Sequence, residues 1–182
     1  MRIEACHIEG LFILEPKVFG DARGYFFESY NQTVFDQQGW PYRWVQDNQS
    51  SSVHGVIRGL HFQAPPYAQA KLVRVLRGAI LDVAVDIRKE SPTYGKHVAV
   101  ELSSDNKLQL LIPAGFAHGF SVLSAEAEVM YKCDQGYHRE SEGGLLYNDP
   151  ALNIDWRVPV NAAIVSDKDR VLPRLAAFNS PF

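Results

Sequence analysis

Two short runs of the sequence concentrate side chains that can handle protons. Arg58-Gly59-Leu60-His61-Phe62-Gln63 is followed by Lys71, and Pro113-Ala114-Gly115-Phe116-Ala117-His118 lies further along. Residues two apart on a strand share a face, so His61 and Gln63 are expected to project together, and a return strand beginning near Lys71 would bring its ammonium alongside. An amide is a poor ligand for a transition metal, and an ammonium repels a dication. Imidazole and ammonium groups are better suited to moving protons, because an unperturbed imidazole titrates at about 6.5 and so exchanges protons around neutrality. Taken alone, the first run is also what a half-exposed strand with ordinary polar side chains contains. His118 can equally be a buried histidine bonded to backbone.

Three further groups carry chemistry only in the right setting. Tyr131 shares a strand face with Val129 and Cys133, a pattern that by itself gives a core tyrosine. Ser166-Asp167-Lys168-Asp169 reads as a polar turn or helix cap, from which an Asp can orient an imidazole. The stretch Asp21 to Glu28, taken with Gln46-Asp47-Asn48, combines aromatic, amide and guanidinium groups that suit a nucleobase and its phosphates. It also suits an N-terminal hairpin with a surface pair between Arg23 and Glu28.

The elements that must hold these groups are mostly strands. In Leu81-Asp82-Val83-Ala84-Val85-Asp86-Ile87 the odd positions are aliphatic and the even ones small or acidic, which predicts a strand with one core face. Leu72 to Leu76 precedes it, and Arg77-Gly78 offers a turn, so the two read as a hairpin. Further strands are expected at His97 to Leu102, Leu108 to Ile112, Gly119 to Leu123 and Val129 to Cys133. Their short, Pro-, Gly-, Ser- and Asn-rich separations are those of a sandwich or barrel. Helix signals are few: Asn31 caps a short helix that Gly39 ends, and another follows Ser166.

At 182 residues and 46% hydrophobic content the chain can bury one substantial core, so a single domain over residues 1–182 is expected. A net charge of −3 argues against a binder of nucleic acid polymers. Cys6 and Cys133 lie far apart in no metal or redox spacing, and no apolar stretch approaches a membrane span. The expectation is a cytoplasmic protein without membrane attachment.

The runs at 58–63 and 113–118 resemble the two cupin signatures with the metal ligands replaced. Gln63 stands where the first signature has its second His, and Lys71 lies in the region that supplies a Glu. Further blocks occur in order: Leu14 to Asp21, Phe26-Phe27-Glu28-Ser29-Tyr30-Asn31, Gln46-Asp47-Asn48, Asp82 to Arg88, and Pro113 to Phe120. Together with Ser166 to Asp169 they make nearly the whole chain resemble the dTDP-4-dehydrorhamnose 3,5-epimerase family, cupin-fold sugar-nucleotide epimerases of rhamnose biosynthesis. The resemblance implies an all-β fold, a cupin-type jelly-roll β-barrel with a few short peripheral helices. It implies a homodimer that uses no metal or organic cofactor and inverts C3 and C5 of dTDP-4-keto-6-deoxy-D-glucose.

By position, the resemblance makes His61 the general base, Asp169 its carboxylate partner, Tyr131 the acid on the opposite sugar face, and Lys71 the group that stabilises the enolate. Arg58 and His118 would contact substrate. Arg23, Glu28, Gln46 and Asn48 would form the nucleotide site, with Arg23 and Glu28 reaching across the dimer, and Glu142 and Lys168 would be lesser contacts. The chain departs from many relatives at Gln49, where they have His, at Ala70, where they have Gly, and at Gly136, where they have Tyr; Tyr137 remains. These departures leave open a related epimerase that inverts one carbon. Two readings of other classes are a non-catalytic sugar-nucleotide-binding cupin and a metal cupin with unusual ligands. His61, Tyr131 and Asp169 together argue against the first, and Gln63 with Lys71 against the second.

Overall fold

A computed structural model describes residues 1–182, the side chain of Val160 excepted. The strands are β1 (Arg2–Ala5), β2 (Phe12–Glu15), β3 (Phe19–Asp21), β4 (Gly24–Phe26), β5 (Gln46–Val53), β6 (Ile57–Gln63) and β7 (Lys71–Arg77). They continue with β8 (Ala79–Asp86), β9 (His97–Ser103), β10 (Gln109–Ile112), β11 (Phe116–Val122), β12 (Glu126–Cys133) and β13 (Glu142–Gly144). Two short helices are α1 (Gln32–Gln37) and α2 (Asp167–Arg170). Both begin as the sequence indicates: the Asn31 side chain accepts from Thr33 N, and that of Ser166 accepts from Asp169 N.

One sheet runs β1-β2-β10-β7-β12-β5 and the other β13-β6-β11-β8-β9, with β3-β4 as a separate hairpin. All pairings within the sheets are antiparallel, and the result is a jelly roll. Between the sheets lies the largest apolar cluster, including Val73, Val75, Ile80, Ala84, Leu110, Ile112, Phe120 and Val129. Among the described residues no helix is long and apolar enough to cross a membrane.

Two expectations are corrected by this topology. β7 and β8 are not a hairpin: β7 pairs with β10 and β12, and β8 with β9 and β11. The turn at Gly78 therefore carries the chain from one sheet to the other. It needs glycine, since φ is +77° and a Cβ there would lie 2.1 Å from Glu126 O. Second, β8 is buried on both faces rather than one. Its even residues Ile80 and Ala84 face the inter-sheet core, while Leu81, Val83 and Val85 pack under the C-terminal segment with Leu145, Tyr147, Leu152 and Trp156. That segment is irregular, so no periodicity announces the second covering layer.

Candidate active site

β6 and β11 place the two histidines side by side: His61 and His118 are cross-strand partners in the five-stranded sheet. The strands come unusually close here, because Gly59 and Gly119 lack side chains. A Cβ on Gly59 would lie 2.6 Å from Gly119 Cα, and one on Gly119 2.6 Å from Arg58 O. Lys71 does not arrive on a neighbouring strand, as the sequence pattern suggests. β6 pairs with β11 and β13, whereas Lys71 opens β7 in the opposite sheet, beside β12. Tyr131 lies on β12, so the histidines and the Lys71–Tyr131 pair occupy facing walls. A cavity of about 490 Å³ between them is lined by Arg58, His61, Lys71, His118, Tyr131, Lys168 and Asp169, among others.

Asp169 comes from α2, and its Oδ1 is 2.7 Å from His61 Nε2. Its Oδ2 accepts from Gly59 N at 3.2 Å. Burial pushes the Asp169 carboxyl up, but the bonds from His61, Gly59 N and Ser166 outweigh it and hold the group below the usual carboxylate range. With Nε2 engaged, His61 retains Nδ1 to take up a proton. His118 has its own carboxylate, with Nε2 2.7 Å from Asp82 Oδ1 and both side chains buried. Burial lowers its pKa, opposed by Asp82. Asp82 is not among the residues the sequence singles out: alternation there sets the acidic positions on the face away from the core, and it is the burial of both faces of β8 that makes a partner necessary.

Across the cavity the Lys71 Nζ sits 5.7 Å from the Tyr131 ring centroid. Burial pushes the ammonium pKa down, while Cys133, Asp82 and Glu142 pull it back up. Burial raises the Tyr131 phenol pKa, which keeps the hydroxyl protonated. The Lys71 amino group and a protonated phenol opposite an imidazole–carboxylate pair can stabilise an oxyanion and pass protons to either side of a bound molecule.

A smaller cavity of about 160 Å³ adjoins the first, sharing His61, Lys71 and Tyr131 in its lining. Gln46, Asn48, Tyr137 and Glu142 lie around it. Glu142 bonds Lys168 Nζ at 2.5 Å and accepts from the Tyr137 hydroxyl at 3.0 Å. Gln63, at the would-be metal-ligand position, turns its amide to backbone groups of two loops. Among the described residues no three His, Cys, Asp or Glu side chains converge to hold a metal ion.

Ten of the twelve residues singled out by sequence thus line these two cavities. Arg23 and Glu28 do not. Arg23, whose side chain is 90% exposed, pairs with Asp21 at 2.5 Å rather than with Glu28, which accepts from Asn31 Nδ2 at 3.0 Å. The β3-β4 hairpin that carries Arg23 presents Phe19, Tyr25 and Phe26 to solvent. Of the departures from the family, Gln49 is exposed and bonds Glu128, on the side of β5 away from the cavities.

The family described as dTDP-4-dehydrorhamnose 3,5-epimerase matches residues 5–177. The chain is 55% identical over 170 residues to the dTDP-4-dehydrorhamnose 3,5-epimerase of Shigella flexneri, covering 93% of each. It is similar to the crystal structure of the Elizabethkingia anophelis dTDP-4-dehydrorhamnose 3,5-epimerase, with a TM-score of 0.92 and 48% identity over 97% of both chains. The dTDP-6-deoxy-D-glucose-3,5-epimerase of Legionella pneumophila, solved in complex with dTDP-4-keto-L-rhamnose, gives a TM-score of 0.93 at 48% identity, covering 98% of this chain and 94% of that one.

Proposed function

The chain belongs to the dTDP-4-dehydrorhamnose 3,5-epimerase family, and from that membership and the facing walls of the cavity we infer how it acts. It is an isomerase that converts dTDP-4-keto-6-deoxy-D-glucose to dTDP-4-keto-L-rhamnose by inverting C3 and C5. Each of these carbons lies next to the C4 ketone, so its proton is acidic enough to leave when the developing enolate oxygen is stabilised. His61 removes the proton at Nδ1, and Asp169 stabilises the imidazolium that forms. Lys71 donates to the C4 oxyanion, and Tyr131 returns a proton to carbon from the opposite face; its phenolate is then reprotonated from solvent, and the His61 imidazolium gives its proton up to solvent. Repetition at the second carbon completes the reaction without a net change in protons.

The observation that carries this assignment is the His61–Asp169 pair at 2.7 Å on one wall with Tyr131 and Lys71 on the other. Arg58 and His118 contact the substrate, Gln46 and Asn48 belong to the nucleotide site, and Glu142 and Lys168 are lesser contacts. With Lys71 at the ketone, Arg58 and Lys168 in the lining of the cavity suit a diphosphate. Arg23 and Glu28 act only in a homodimer of this single domain, where the exposed aromatic hairpin reaches a neighbour's site. The unpaired cysteines fit work in the reducing cytoplasm.

Proton NMR in heavy water with dTDP-4-keto-6-deoxy-D-glucose tests the reading. Wild type should incorporate deuterium at C3 and C5 with inversion. His61→Ala should lose both product and uptake, because no carbanion forms. Uptake at the wild-type rate in His61→Ala would remove His61 as the base.

A further inference from the structure

Gln63 sits inside the run that carries the base, yet none of its side-chain hydrogen bonds goes to a catalytic group. It is 4% exposed. Its Nε2 donates to Tyr67 O at 2.7 Å and to Gly136 O at 3.2 Å, and its Oε1 accepts from His138 N at 2.7 Å. Both N–H groups and the carbonyl are thereby committed to backbone of two loops, 64–70 after β6 and 134–138 after β12. The loops also meet directly. The Tyr67 and His138 rings stack at 3.8 Å with 9° between planes, and Gln69 Nε2 donates to Gln135 O at 2.7 Å.

Tyr137 rides on the second loop between the two backbone groups that Gln63 holds. Its own N donates to Gln46 Oε1 at 2.9 Å, its hydroxyl to Glu142, and its ring is exposed at the rim of the smaller cavity. We propose that Gln63 is a positioning residue that clamps these loops together and thereby sets Tyr137, Gln46 and Glu142 for the nucleotide end of the substrate. This assignment rests on the function proposed above. Removing the amide takes the side-chain partner from two carbonyls and one N–H in part-buried contacts, each of which costs free energy until the loops move apart and water replaces the amide. The groups that perform proton transfer are held separately, by β-pairing and by Asp169, and stay in place.

The test is Gln63→Met, which keeps length and apolar volume and removes every polar contact. Steady-state kinetics and calorimetric titration with dTDP should show KM and the dTDP dissociation constant rising together by about tenfold or more, with kcat within about threefold of wild type. A variant with unchanged KM and dTDP affinity overturns the proposal, as does one in which kcat alone collapses. Tyr67→Ala, which loosens the same loops at an exposed residue, is the second variant should Gln63→Met fail to fold. It should shift KM in the same direction, and an unchanged KM there counts equally against the clamp. Wild-type protein that neither binds dTDP nor epimerises would instead overturn the functional reading itself.

Discussion

Replacing Asp169 by Asn removes a charge from the site while keeping its shape. The Asp169 side chain is 5% exposed and that of His61 30%, with 2.7 Å between Oδ1 and Nε2. During proton abstraction His61 becomes an imidazolium, and the carboxylate stabilises that charge more than it stabilises the neutral ring. Two limits bound the effect. As one charge-assisted hydrogen bond it is worth about 1.5–3 kcal/mol. As a pair of unit charges about 4 Å apart at an effective permittivity of about 20 it is worth about 4 kcal/mol. At about 1.4 kcal/mol per decade the loss in kcat runs from about tenfold to about a thousandfold. The near-complete burial of the carboxylate favours the upper half of that range, so a fall of about a hundredfold or more is expected. Gly59 N still has an amide oxygen to donate to, so the fold should persist, which thermal melting checks. Initial rates with dTDP-4-keto-6-deoxy-D-glucose, together with deuterium uptake at C3 and C5, measure the effect. An Asp169→Asn enzyme with kcat within about threefold of wild type would refute the assignment of Asp169 as the partner of a charged His61.

Tyr131→Phe should keep deuterium uptake, since His61 still abstracts and can return a solvent-exchanged proton to the same face, but lose most inversion; normal epimerisation would move the acid's role to another group such as Tyr137. Arg23→Ala should raise KM more than it lowers kcat and leave a dimer by light scattering, whereas unchanged dTDP affinity would make Arg23 a surface residue only. Asp86 offers a stability test away from the site. Burial raises its pKa, but bonds from Arg88, Ser91 and Thr93 outweigh that and hold it at about 2. Because the folded pKa lies below the unfolded 3.8, the contribution is present above about pH 4 and disappears as pH falls toward about 2. Its size is about 2 kcal/mol. The gap in urea-unfolding stability between wild type and Asp86→Asn should therefore narrow on acidification, and a gap that stays constant with pH would contradict this linkage.

What the sequence determined by itself is local. Alternation and turn-rich separations located β7 to β12 but not β1, β2, β5 or β13, side-chain oxygens at Asn31 and Ser166 marked both helix starts, and the two-residue strand period put His61 and Gln63 on one face. Each depends on neighbours a few residues apart, whose geometry the backbone fixes. Ordered blocks similar to a known family extended that reading to the barrel and to most of the residues around the cavities. Only the tertiary structure decided which sheet each strand joins, and hence that Lys71 faces His61 across the cavity instead of beside it. Likewise the Asp82–His118 pair spans 36 positions of sequence and the Gln63–His138 contact 75, separations across which no periodicity operates. The same holds for the two-sided burial of β8, since a covering layer of irregular chain is recruited by apolar surface wherever the fold brings it, and leaves no pattern in the strand it covers.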